Sequence, residues 1–153
     1  MNLEDVMKAV ILSLLIATLF LTPVWSVEQT DDEAAIKAII LSAYRDGLIN
    51  MGDVEAVKKG FHPEFRLLGV KDNSLWVLPI ADWIKRTEEK KAAGKFPPEK
   101  LTNMEFPLID ICGTAAVVKV KFYVGDKLTY TDYLSLYKFN EGWKIVGKIF
   151  TSH

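Results

Sequence analysis

The second half of the chain carries four runs in which apolar and polar residues alternate, joined by links too short to hold a helix. The runs are 101–112, 114–124, 127–139 and 143–151, separated by Gly113, Gly125-Asp126 and Asn140-Glu141-Gly142. Alternation with a period of two marks strands covered on one face. Links of one to three residues permit only antiparallel neighbours. The chain therefore ends in a meander of hairpins.

The first half reads differently. Thr30 stands three residues before Glu33, the spacing of a reciprocal capping box, with Asp31 and Asp32 at the positive end of the helix dipole. Ile36, Ile40, Ala43, Tyr44, Leu48 and Met51 then recur at helical spacing, and Gly52 closes the run. Asp53 caps a shorter helix over 54–59 that ends at Gly60. Short strands at 65–70 and 75–78 flank the turn residues Lys71-Asp72-Asn73-Ser74. Pro79 opens a third helix whose apolar side carries Ile80, Trp83 and Ile84, and 90–100 is a loop broken by Gly94 and Pro97-Pro98. Helices followed by a long antiparallel sheet define an α+β layout.

The hairpin turns set which residues share a face. Pairing Val124 with Lys127 places Val118 opposite Tyr133 and Val120 opposite Thr131. Pairing Phe139 with Trp143 places Tyr137 opposite Ile145 and Tyr133 opposite Ile149. The inner, helix-covered face then holds Val118, Val120, Phe122, Tyr133, Ser135, Tyr137, Trp143, Ile145 and Ile149. Lys119, Lys121, Asp132, Leu134, Leu136, Lys144, Val146 and Lys148 fall outside. On this register Asp132 is structural, opposite Lys119 and diagonal to Lys121 and Lys148. A slip of one residue exchanges the faces.

Residues 9–21 (AVILSLLIATLFL) form an uncharged apolar run after Lys8, and TPVWS follows. That is the layout of an export signal covering 1–26, with Val24 and Ser26 suiting a cut before Val27. Glu4 and Asp5 spoil the basic start, which a beginning at Met7 restores. The competing reading is an uncleaved anchor, since the run approaches the ~20 residues that span a bilayer; Pro23 and the polar stretch beyond Val27 favour cleavage. The mature chain, 27–153, is then one periplasmic or secreted domain with no stable membrane insertion. It keeps 18 acidic and 18 basic side chains, and this lack of a basic stripe argues against nucleic acid. Cys112, the single cysteine, can form no intrachain disulfide.

The stretches AYRDGLINMGDVEAVKKGFHPEF, FPLIDICGTAAVVKVKF and TDYLSLYKFNEGWKIVGKIF resemble the nuclear transport factor two-like superfamily. The nearest group is the bacterial family labelled putative lumazine-binding. The resemblance spans about residues 32–153 and implies a cone-shaped roll, three N-terminal helices packed on a strongly curved antiparallel sheet. It also implies a small-molecule ligand, a flat heteroaromatic by the family's label, and a homodimer through the outer sheet face. There Leu134, Leu136 and Val146 would form an apolar patch. Because this scaffold hosts enzymes, binding modules and assembly domains alike, the site must be argued from residues.

Ketosteroid isomerase shares the superfamily and needs a carboxylate base with a tyrosine and a protonated aspartate as oxyanion donors. Aligned on this chain, the base position falls at Leu68-Gly69 and the aspartate position at Ser135, leaving only Tyr44 near its place on the first helix. That activity is excluded, and binding without catalysis becomes the leading reading. Its ligand-binding candidates are Tyr44, His62, Trp76, Trp83, Tyr133, Ser135 and Thr151: rings as flat walls, hydroxyls as polar contacts. The alternative is a lyase, isomerase or hydrolase using His62 or Tyr44 for proton transfer; a further one is an assembly module with a filled cone. His62 has no partner at metal-ligand spacing, so neither metal nor cofactor is expected, and His153 reads as a mobile terminus.

Overall fold

The computed structural model describes residues 25–153, with side chains from Asp31 onward. The apolar run 9–21 and nearly all of the expected export signal lie outside the described residues. Helix α1 covers Trp25–Ile39 and passes into a wider π-type segment at Ile40–Asn50, where hydrogen bonds reach five residues back, as from the Met51 amide to the Asp46 carbonyl at 2.8 Å. Thr30 thus lies inside α1 instead of capping it. Ile36, Ile40, Ala43, Tyr44 and Leu48 are buried as their spacing predicts, whereas Met51 is exposed just before Gly52 turns the chain with φ +63°.

Helix α2 (Val54–Gly60) is capped by Asp53, whose side chain accepts from the Ala56 amide at 3.2 Å. A side chain at Gly60 would collide with Ala43, so this glycine is what lets α2 press against the π-type segment. Strands β1 (Phe61–Lys71) and β2 (Ser74–Pro79) form a hairpin around Asp72 and Asn73, both left-handed at φ +50° and +58°, which suits a two-residue turn. Pro79 caps helix α3 (Ile80–Ala92) from just outside it. Strands β3 (Thr102–Cys112), β4 (Ala115–Val124), β5 (Lys127–Phe139) and β6 (Gly142–Ser152) complete the meander.

The six strands run in the order β2-β1-β6-β5-β4-β3, antiparallel except where β1 lies parallel to β6. The three helical stretches pack on the concave face of this curved sheet, as expected for an α+β roll. From Asp32 to His153 the chain forms one unit. Asp32 pins its start: the carboxylate accepts from Lys138 and from Trp143 Nε1, each at 2.9 Å, tying α1 to the β5–β6 hairpin. Asn50 pairs both ways with the Thr102 backbone, at 3.0 and 2.9 Å, and fastens the π-type segment to the start of β3.

The faces of β4 are as the turns predict, but those of β5 are reversed. Val124 does pair with Lys127 and Tyr123 with Leu128; Thr129 then bulges, so Phe122 meets Tyr130, Val120 meets Asp132 and Val118 meets Leu134. One extra residue moves all of β5 beyond it to the opposite face. A second bulge at Val146 lets Leu136 face Ile145 while Ser135 faces Gly147 and Tyr133 still faces Ile149. Asp132, Leu134 and Leu136 are therefore buried on the concave side with Lys148, and Tyr133, Ser135, Tyr137 and Ile149 stand exposed on the convex side. Lys119 lies opposite Tyr133, with its amine over that ring, instead of opposite Asp132. The expected outer patch of Leu134, Leu136 and Val146 fails for the same reason: both leucines belong to the core.

Candidate functional site

Helical spacing puts Tyr44 on the buried side of the π-type segment, aimed at the centre of the sheet. There it meets two strand residues that the bulges have turned inward. Tyr44 Oη donates to Asp132 Oδ2 at 2.8 Å, Lys148 Nζ lies 2.7 Å from the same oxygen, and Lys148 also donates to Tyr44 Oη. Asp132 and Lys148 sit diagonally across β5 and β6, since Leu134 is the direct partner of Lys148 and Phe150 that of Asp132. Asp132 is fully buried and Tyr44 and Lys148 nearly so.

Aromatic rings enclose the lysine. Its amine lies 4.8 Å from the Tyr44 ring centre, 5.0 Å from Phe150 and 5.6 Å from both Trp83 and Phe122. Such rings stabilise a cation through their faces, but they exclude the water that an ammonium ion prefers. Burial therefore lowers the proton affinity of Lys148, opposed by the Asp132 charge. Burial likewise raises the carboxyl group of Asp132 above its ordinary range, against the pull of Lys148 and the Tyr44 hydroxyl. Tyr44 is pushed well above the usual phenol value, first by burial and then by the adjacent carboxylate. Both members of the ion pair are thus driven towards their neutral forms. Among the described residues, Asp132 Oδ1 is buried without a hydrogen-bond partner.

Phe150 links this cluster to the surface. Its ring meets those of Trp76 and Tyr130 edge-on, with centres 6.1 and 6.0 Å away, and Trp76 and Tyr130 are about two-fifths exposed. Trp76 lies across Gly69, its strand partner, where any side chain would strike the indole.

Of the residues proposed from sequence, Tyr44 and Trp83 meet at Lys148, and Trp76 stands one ring further out. Tyr133, Ser135 and Thr151 are exposed, and the first two line a convex groove of about 490 Å³ with Val117, Val146 and Ile149. They do not join Tyr44. His62 stacks on Phe139 and its Nδ1 accepts from the Glu64 amide at 3.1 Å, outside the cluster. His153 is tied down, its amide donating to the Thr129 carbonyl and its Nε2 lying 2.9 Å from Thr131 Oγ1. The described residues hold no group of three acidic, histidine or cysteine side chains suited to a metal ion.

Three helical stretches packed on a six-stranded, mostly antiparallel curved sheet define an NTF2-like, cystatin-like fold. The chain belongs to the family described as "Putative lumazine-binding", which matches residues 31–151. It is similar to the aldolase FrzH of Cladobotryum sp, with 27% identity over 118 residues covering 76% of this chain and 90% of that protein. Among solved structures, an NTF2-like protein of unknown function from Shewanella baltica OS155 aligns at TM-score 0.65 and 27% identity, covering 81% of this chain and 95% of the other. One from Silicibacter pomeroyi DSS-3 aligns at TM-score 0.67 and 18% identity over 82% and 98% of the two chains, a likeness of fold.

Proposed function

We propose that this protein binds a small carbonyl compound beside Tyr44, Asp132 and Lys148 and moves a proton on it, as a lyase or isomerase. The observation that carries this reading is the buried cluster of three ionisable side chains with one carboxylate oxygen left unpartnered. Burying an ion pair rarely stabilises a fold more than apolar residues of the same size would. A desolvated acid–base pair is instead what proton transfer near neutral pH requires. In this reading Tyr44 donates to the substrate oxygen, Asp132 takes a proton from the adjacent carbon, and Lys148 steadies the negative charge. The similarity to an aldolase supports carbonyl chemistry.

The test is exchange of the carbon-bound protons of acetone in heavy water, followed by NMR. The wild-type protein should accelerate exchange by at least about a hundredfold, the lower end of general acid–base catalysis. Tyr44→Phe and Asp132→Asn should abolish the acceleration. A second reading, binding without turnover, is favoured by the family's description and by the half-exposed rings Trp76 and Tyr130, flat walls for a heteroaromatic ligand. A ligand held beside Trp76 and Tyr130 with no exchange of any carbonyl probe would select it.

The same proposal places the protein outside the cytoplasm as a homodimer. Residues 9–21 and the small residue at Ser26 support export, which sequencing the mature amino terminus checks. Val117, Tyr133, Tyr137 and Ile149, all exposed on the convex face, support back-to-back pairing.

A further inference from the structure

Lys148 is an unusual residue for the middle of a core strand. A cation whose only task was to neutralise Asp132 would be served as well by arginine, whose fork could also satisfy the free Oδ1. A lysine leaves that oxygen unpaired and offers something arginine lacks, an amine that becomes a nucleophile once it loses a proton. We propose that Lys148 is a covalent attachment point, its Nζ condensing with an aldehyde or ketone to form an imine. This rests on the carbonyl reading above and names the reacting bond.

The surrounding groups supply each proton. The ammonium proton passes to Asp132 Oδ2, 2.7 Å away, freeing the nitrogen lone pair. That pair adds to the carbonyl carbon while the carbonyl oxygen takes a proton from the Tyr44 hydroxyl, which lies within hydrogen-bond reach of both Asp132 and Lys148. The phenolate then takes a proton from the nitrogen, giving a neutral carbinolamine, whose nitrogen lone pair expels the hydroxyl as water with the proton held by Asp132. The product is a protonated imine paired with an ionised Asp132. Deprotonation of the neighbouring carbon by that carboxylate would yield an enamine. No oxidant, reductant or metal enters the sequence. The ring cage of Tyr44, Trp83, Phe122 and Phe150 excludes the water that would hydrolyse the adduct. The half-exposed rings of Trp76 and Tyr130, in contact with Phe150, fit an aromatic or otherwise flat carbonyl compound.

The test is reductive trapping on the full chain with benzaldehyde and sodium borohydride at neutral pH, followed by peptide mass mapping. Lys148, with Asp132 2.7 Å away to take its proton, should carry more adduct than any other lysine. Lys148→Arg, which keeps a cation beside Asp132, should lose this adduct while the remaining lysines label as before. Asp132→Asn should slow trapping at Lys148. Saturation-transfer NMR on the unreduced sample separates the two ways to fail. Benzaldehyde in contact with the protein but no preferential adduct at Lys148 overturns the imine and leaves the carbonyl reading standing. Neither contact nor adduct overturns the imine and counts against the carbonyl reading itself.

Discussion

The two faces of β5 and β6 are built from alternate residues of the same strands, yet each carries some residues of the polarity expected on the other. The concave side buries Asp132 and Lys148 among aromatic rings, and the convex side shows Tyr133, Tyr137 and Ile149 to solvent. Side-chain polarity alone therefore does not decide which face is covered here. Two single-residue bulges contribute as much, and the result is a buried charged pair on one side and exposed apolar groups on the other.

The comparison breaks most sharply at the ion pair. Asp132→Leu leaves a buried cation unpaired and should cost about 3–5 kcal/mol in denaturant unfolding. Adding Lys148→Met should restore the loss or leave the protein about 1–4 kcal/mol more stable than wild type. A single substitution costing no more than a surface change, about 0.5 kcal/mol or less, would mean that the pair is hydrated and the concave assignment wrong. Tyr44→Phe removes a hydroxyl that both donates and accepts, and should cost about 1–3 kcal/mol as the buried partners lose a bond.

The two paired aspartates should answer pH with opposite signs. Lys138 and Trp143 hold Asp32 below its ordinary value of 3.8, so its stabilisation is present above that value and lost as pH falls through the window beneath it. Asp32→Asn should therefore cost about 1 kcal/mol near neutrality, discounted for partial exposure, and nothing at the acid end of that window. Asp132 is raised instead, because burial outweighs Lys148; the folded chain holds an extra proton between 3.8 and the raised value, and stability falls as pH rises through that window. Unfolding followed across acid pH in Asp32→Asn and in the double variant separates the two.

Smallest should be the convex changes. Tyr133→Ser and Ile149→Thr should shift unfolding by no more than about 0.5 kcal/mol. Sedimentation should nonetheless show them monomeric where the wild type pairs, and unchanged association would move the interface elsewhere.

Much of this architecture is legible in the residues. Period-two alternation and the turn glycines locate β3 to β6 within a residue or so at each end, and helical spacing finds Tyr44 and Trp83. The lost information is local. Thr129 is a β-branched residue in a β-rich run, with nothing to distinguish a bulge from regular pairing. Val146 bulges beside Gly147, and an isolated glycine in a strand does hint at such a break. Asp132 and Lys148 are recognisable as diagonal neighbours, but the missed bulge at Thr129 turns the aspartate outward and disguises a buried site as a surface ion pair.

The most direct test of the central claim is acetone proton exchange in Asp132→Leu/Lys148→Met, the variant that removes the cluster while keeping its volume apolar. The expected result is a cooperatively folded protein, at least as stable as the wild type, that exchanges acetone protons no faster than buffer. Exchange at the wild-type rate in that folded variant would show that the chemistry lies elsewhere and that the buried cluster is structural.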